Sequence, residues 1–169
     1  MKRLFLCCLL AGFLNGCLTM KDGETTLVDG IKTLPGIYCS NDHGPALKAD
    51  WQNPDVVEET VKDRVYQAGL ISLWHNKPVI IRITNDDEGV RSFRAPLFLQ
   101  DVAILKAVYG GKSLETPCME AFSLAPGTTA ELYVVPVKKG SYEYHETALW
   151  PPILGEILTS AKVGQIYIH

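Results

Sequence analysis

Apolar and polar side chains alternate with a period of two along several short stretches of this chain. Val79, Ile81 and Ile83 share one face of the run from Pro78 to Thr84, and Ala130, Leu132 and Val134 share one face of a later run. Successive side chains of an extended strand point to opposite sides, so this alternation predicts half-buried strands. Val57, Val61 and Val65 stand among charged neighbours between Val56 and Tyr66 and predict another strand, with a short one over Gly69 to Trp74. Met119 to Leu124 and Gly140 to Glu146 follow, and Gly164 to His169 closes the chain with Ile166 and Ile168 inward. The apolar run from Ala95 to Val108 fits a helical turn followed by a strand, although its period does not separate the two. Asn85-Asp86-Asp87-Glu88-Gly89, Gly110-Gly111 and Pro126-Gly127 punctuate these runs as turns. About eight short strands with turns between them predict an all-β fold, a Greek-key β-sandwich.

The first third of the chain reads differently. Lys2 and Arg3 precede an apolar run from Leu4 to Leu14, the pattern of an export signal and too short to span a bilayer. It ends in Leu14-Asn15-Gly16-Cys17, which resembles the lipobox of bacterial lipoproteins; Asn15 is a less usual occupant of its slot. That resemblance implies a signal peptide over 1–16 and lipidation of Cys17, hence a chain exported and anchored to the membrane facing the periplasm. Leu18 replaces the aspartate that resembles an inner-membrane retention signal, which favours the outer membrane. Residues 17–52 have no steady period and are broken by Asp22-Gly23, Asp29-Gly30, Pro35-Gly36 and the turn around His43. They read as a tether and loop-rich segment ahead of a domain over 53–169.

Cysteine usage follows from this reading. Cys7 and Cys8 leave with the leader and Cys17 is acylated, so Cys39 and Cys118 remain in the exported domain. Two such cysteines in an oxidising compartment are expected to form a disulfide, worth about 3–4 kcal/mol for so long a loop. Neither has a second Cys or His at metal-ligand spacing. The 169 residues are 47% hydrophobic and 21% charged, a globular rather than disordered composition. Formal charge is −3, and loss of Lys2 and Arg3 takes the basic count from 16 to 14 against 19 acidic side chains. No basic patch points to nucleic acid. No Ser-His-Asp arrangement, phosphate loop or His-Glu-x-x-His is present, so an enzyme is not expected. Asp86, Asp87 and Glu88 read as a solvated acidic turn, and His75 as a solvated turn residue.

Several segments together resemble the cupredoxins, the blue-copper protein family. They are Asn76-Lys77-Pro78-Val79, Thr84-Asn85, Phe93-Arg94-Ala95-Pro96, Leu124-Ala125-Pro126-Gly127 with Ala130-Glu131-Leu132, Val135-Pro136-Val137, Gly140-Ser141-Tyr142-Glu143-Tyr144 and Gly164-Gln165-Ile166. The resemblance covers roughly residues 56–169. It implies a metal held by a histidine two residues before Phe-x-x-Pro, and by a cysteine, a histidine and usually a methionine at and beyond the end of the Gly-x-Tyr strand. In this chain those positions hold Arg91 and Glu146, Lys162 falls near the methionine position, and the loop 147–163 contains no histidine or methionine. A guanidinium has no lone pair to offer and a carboxylate is a hard donor, so the blue-copper set is expected to be absent. An Arg91–Glu146 ion pair is expected in its place.

The remaining histidines do not converge by spacing. If the last two strands pair antiparallel, His145 faces Gln165 and His169 lies beside Ser141, about 13 Å away at 3.4 Å per residue. Met119 reads as a gap filler in the core rather than a copper ligand. The chain is therefore expected to be a non-catalytic binding or accessory module with no cofactor, docking to an envelope protein. Trp150, Pro151, Pro152 and Ile153 offer an apolar loop tip for that contact. The alternative is a periplasmic copper-binding or electron-transfer protein with a non-standard site, for which His145 and His43 are the candidate ligands.

Overall fold

The alternating runs pair into two stacked sheets in a computed structural model of the chain, which describes residues 42–115, 117–146 and 163–169 with two short strands at 25–26 and 32–35. In chain order the elements are β1 (Thr25–Thr26), β2 (Lys32–Pro35), α1 (Gly44–Lys48), β3 (Asp55–Lys62), β4 (Val65–Tyr66), β5 (Leu70–Leu73) and β6 (Val79–Asn85). They continue with β7 (Arg91–Arg94), α2 (Pro96–Gln100), β8 (Val102–Tyr109), β9 (Lys112–Glu115), β10 (Met119–Leu124), β11 (Thr129–Pro136), β12 (Gly140–His145) and β13 (Val163–Ile168). One sheet runs β1-β2-β10-β7-β12-β13-β5 and the other β4-β3-β6-β11-β8-β9. From β5 onward the chain repeatedly crosses between the sheets, as a Greek-key sandwich requires. Neighbouring strands are antiparallel except for β13 beside β5 and β3 beside β6.

The core lies between the sheets. Val79, Ile81 and Ile83 of β6 and Ala130, Leu132 and Val134 of β11 are buried together, as their alternation predicts. They meet Phe93, Phe122, Tyr142, Tyr144, Ile166 and Ile168 from the opposing sheet. Met119 is buried in the same core. A second, smaller apolar cluster forms outside the six-stranded sheet, where Ala46 of α1 packs on Ala103 and Val135 with Trp51 beside them. The Trp51 indole N–H donates to the Ala46 carbonyl at 2.8 Å, which fixes the segment after α1.

The fold departs from the sequence reading in two places. The tether is not loop throughout: β2 joins β10 at the sheet edge, and α1 covers an apolar patch on β8 and β11. Segments of two to five residues give too little periodicity to detect. The run from Ala95 to Val108 is a helical turn followed by a strand, as read: α2 and β8, with Pro96 at the first helical turn, where its missing N–H costs nothing. Finally, β12 and β13 pair with a register two residues away from the expected one. His145 faces Val163 and Ser141 faces Tyr167. The inward alternation is the same in both registers, because a shift of two preserves the faces. His145 and His169 then lie about six residues apart along the ladder, roughly 20 Å.

Candidate functional site at the sandwich mouth

Three turns and one strand end meet at one end of the sandwich. Asn85 organises the first of them. It is fully buried, donates from Nδ2 to the carbonyls of Gly89 and Leu124 (both 2.9 Å), and accepts from the Asp87 N–H at 3.1 Å. Its backbone pairs with Thr128 and Gly127, so one side chain and its peptide hold the 85–91 turn against the Pro126-Gly127 turn. The second turn is the two-residue link between β3 and β4. Asp63 and Arg64 both adopt positive φ (52° and 61°), a conformation that two-residue hairpins need and non-glycine residues resist. The Asp87 carboxylate accepts both of their N–H groups, at 2.6 and 3.1 Å, and so stabilises that conformation.

Arg91 begins β7 and faces Asp87. Its Nε donates to Asp87 Oδ2 at 2.5 Å, with the two side chains only 16% and 9% exposed. The guanidinium and the two turn N–H groups hold the Asp87 carboxyl below its ordinary value, against a smaller opposing effect of burial. The expected Arg91–Glu146 ion pair therefore takes another form. Glu146 accepts the Ser92 backbone N–H and feels Arg91 and Arg64 as nearby charges, not as hydrogen-bond donors. Burial is the largest influence on it and pushes its carboxyl above the ordinary value, with Asp87 adding to the push. The acidic turn is likewise more than a solvated face: Asp86 pairs with Lys62 at 2.8 Å, and Asp87 is the hub of the mouth.

Beneath these groups lies a polar cluster that the sequence pattern did not single out. Glu59 on β3 is 1% exposed. Its Oε1 accepts from the N–H groups of Thr60 (2.8 Å) and Ala68 (3.0 Å), and its Oε2 accepts from the Tyr144 hydroxyl of the opposite sheet. Tyr66 on β4 crosses the same gap and donates to the Ser92 carbonyl at 2.5 Å, with the His145 carbonyl at 3.4 Å. The Tyr66 and Tyr144 rings meet edge to face at 4.6 Å, and Phe93 packs against both. Burial, followed by the charge of Glu146, raises the Tyr66 hydroxyl well above its usual range, and burial with the Glu59 bond does the same to Tyr144. Both tyrosines stay neutral donors. Strand parity was the available signal, since Glu59 shares a face with Val57 and Val61.

The histidines stay apart from this end or are otherwise engaged. His43 precedes α1, and its Nδ1 lies 3.2 Å from the Ile104 carbonyl, which can only accept, so Nδ1 carries the proton. His75 is not simply solvated: its Nε2 meets the Val137 carbonyl at 3.0 Å. His145, half-buried at the end of β12, has Glu143 3.8 Å from its Nε2. Among the described residues no group of three His, Cys, Asp or Glu side chains could hold a metal ion. Cys118 is disulfide-bonded. Cys17, Cys39, Trp150, Pro151, Pro152, Ile153 and Lys162, like the leader, lie outside the described residues.

Arg91 is committed to Asp87 and offers no lone pair, and Glu146 is a hard oxygen donor, so neither supplies the imidazole or thiolate that blue copper needs.

No family model and no curated protein matches the chain. Solved structures do. A laccase from Pediococcus acidilactici is similar over 72% of this chain with TM-score 0.50 and 14% identity, and this chain spans 28% of it. Auracyanin B is similar over 72% of this chain and 94% of its own length, with TM-score 0.44 and 16% identity. A multicopper oxidase is similar over 68% of this chain with TM-score 0.45 and 11% identity. The chain spans less than half the length of the oxidases, 44% in that case. Taken with the two-sheet topology, the likeness to the laccase at TM-score 0.50 establishes a fold and no more: this chain carries a cupredoxin-like β-sandwich domain.

Proposed function

We propose that this is a cell-envelope lipoprotein whose cupredoxin-like domain serves as a non-catalytic binding module, its blue-copper ligands having been replaced. The observation that carries the reading is the bond from Arg91 Nε to Asp87 Oδ2, which fills the first ligand position with a cation already satisfied by the protein. Glu146 and, by sequence, the loop 147–162 supply no thiolate, imidazole or thioether in the other positions. Cys17 anchors the chain to the membrane on the periplasmic side, in the outer membrane for want of aspartate at position 18. Cys39 closes the disulfide with Cys118. The loop carrying Trp150, Pro151, Pro152 and Ile153 supplies the apolar contact for an envelope protein partner.

Copper titration of the purified full-length chain tests the reading. The expected result is no stoichiometric uptake of Cu(I) or Cu(II) and no thiolate-to-copper absorption. Uptake near one equivalent that is lost in His145→Ala or His43→Ala would replace the binding module with a copper carrier using a non-standard site.

A further inference from the structure

Every open sheet must manage its edges, because an unpaired strand offers its backbone groups to other chains. Three of the four edges here are blunted in familiar ways. β1 and β4 are two residues long, and β9 is fully exposed and carries Lys112 and Glu115. The fourth edge, β5, has none of these devices. Its sequence Leu70-Ile71-Ser72-Leu73 contains no charge and no proline, and Trp74 continues it.

The backbone of β5 has one side to spare. The carbonyls of Gly69 and Leu73 and the N–H of His75 bond toward β13, so residues 69, 71, 73 and 75 face inward along the sheet. The peptide groups of Leu70 and Ser72 and the N–H of Trp74 therefore point to the free side, where no described strand pairs, while the Trp74 carbonyl accepts the Lys77 N–H at 3.2 Å. The side chains of these three residues also share the outer face of the sheet. Leu70 and Trp74 are 58% and 59% exposed, beside Tyr167 at 47% and Val163 at 50% on β13. The aromatic part is set in place: His169 packs 5.0 Å from Trp74 and 4.6 Å from Tyr167, and its Nε2 lies 2.8 Å from Ser72 Oγ.

From this geometry we infer that β5 is a dimer edge, pairing antiparallel with β5 of a second copy of this chain about a two-fold axis at Ser72. Such a pairing is isologous, so the same strand must complement itself. This one does. With Ser72 opposite Ser72 of the other copy, Leu70 falls opposite Trp74 and Trp74 opposite Leu70. The Ser72 row then exchanges two hydrogen bonds. Each outer row keeps the bond from the Trp74 N–H to the Leu70 carbonyl, while the Trp74 carbonyl stays with Lys77. Ile71 meets Leu73 on the inner face. Each copy covers an apolar side chain with an aromatic one, and the seven-stranded sheet continues across the axis. Leu70 and Trp74, the side chains this pairing covers, expose roughly 250 Å² per copy, about a third of what a standard interface buries on each side. The dimer is accordingly weak and reversible in solution.

Sedimentation equilibrium of the purified full-length chain in detergent should show dimer increasing with concentration. Leu70→Lys and Trp74→Lys, both at exposed positions, should each raise the dissociation constant at least about tenfold while the circular dichroism stays native. A register test uses cysteines and a mild thiol oxidant. Directly opposed hydrogen-bonded residues have Cα atoms about 5.5 Å apart, within disulfide reach. Ser72→Cys should therefore cross-link to itself above the background of the unmodified chain. Leu70→Cys and Trp74→Cys should cross-link when mixed and not alone. A chain monomeric up to ~100 μM would overturn the proposal. So would a dimer indifferent to both lysine variants, or self-cross-linking of Leu70→Cys as efficient as that of Ser72→Cys.

Discussion

Asp87 and Glu59 are both carboxylates covered by protein, and the molecule satisfies them in opposite ways. Asp87, close to the surface, is paired with a guanidinium and two turn N–H groups. Glu59, in the core, has no cation among its described partners and receives a tyrosine hydroxyl and two backbone N–H groups instead. The difference follows from where each bond leads. The Asp87 bonds join two turns, Asp63-Arg64 and 85–91, at one end of the sandwich. The Glu59 bond crosses from β3 to β12 and fastens the two sheets in a medium where charge interactions are weakly screened. The mouth can therefore be altered with modest effect, and the cluster beneath it cannot.

The largest expected effect comes from the contact that shapes the buried cluster. Gly164 lies opposite Tyr144 in the β12–β13 ladder, and a Cβ at 164 would fall inside the ring of that tyrosine. The ring is held by Phe93, Tyr66 and Glu59 and has nowhere to move. Gly164→Ala should cost about 3 kcal/mol or more, read as the shift of a denaturant midpoint at unchanged slope. A shift of a few tenths would show that the ring is free to relocate and that the sheets are fastened elsewhere.

Tyr144→Phe comes next, because it removes one donor from a buried carboxylate without altering shape. A loss of about 2 kcal/mol is expected, the range for a hydrogen bond to a charged group. If the variant is as stable as the parent, Glu59 is not the inter-sheet fastening described here.

The smallest effect belongs to the mouth, where the two acidic groups have opposite pH signatures. The Asp87 carboxyl is held below its ordinary 3.8, so its contribution is complete above that pH and lost as pH falls through the folded-state value. The Glu146 carboxyl is pushed above 4.5 by burial, so folding favours its protonated form and its contribution is lost as pH rises through the folded-state value. Asp87→Asn should flatten the stability profile below about pH 4 and weaken the fold at pH 7. Glu146→Gln, which keeps an acceptor for the Ser92 N–H, should be neutral or stabilising by about 0.5 kcal/mol at pH 7. Thermal denaturation of both variants across pH 3–8 separates them. Destabilisation by Glu146→Gln at neutral pH would restore the direct Arg91–Glu146 pairing.

Period-two alternation determined much of this protein without coordinates. It located β6, β10, β11, β12 and β13, their inward faces and the all-β class, because burial of one strand face is written directly into residue order. Residue chemistry alone also showed that Arg91 and Glu146 cannot act as imidazole and thiolate. Partner choice was decided only in three dimensions. Arg91 found Asp87, four positions away across a turn, because the positive-φ link at Asp63 and Arg64 brings two N–H donors to the same carboxylate and fixes it there. Glu59 looked like one charge among many in a mixed strand. Only the closing of the second sheet over it, with Tyr144 and Gly164 meeting in one register, made it the buried fastening of the sandwich. A sequence specifies which face turns inward; what stands opposite depends on register and on the angle between sheets, and those are properties of the assembled fold.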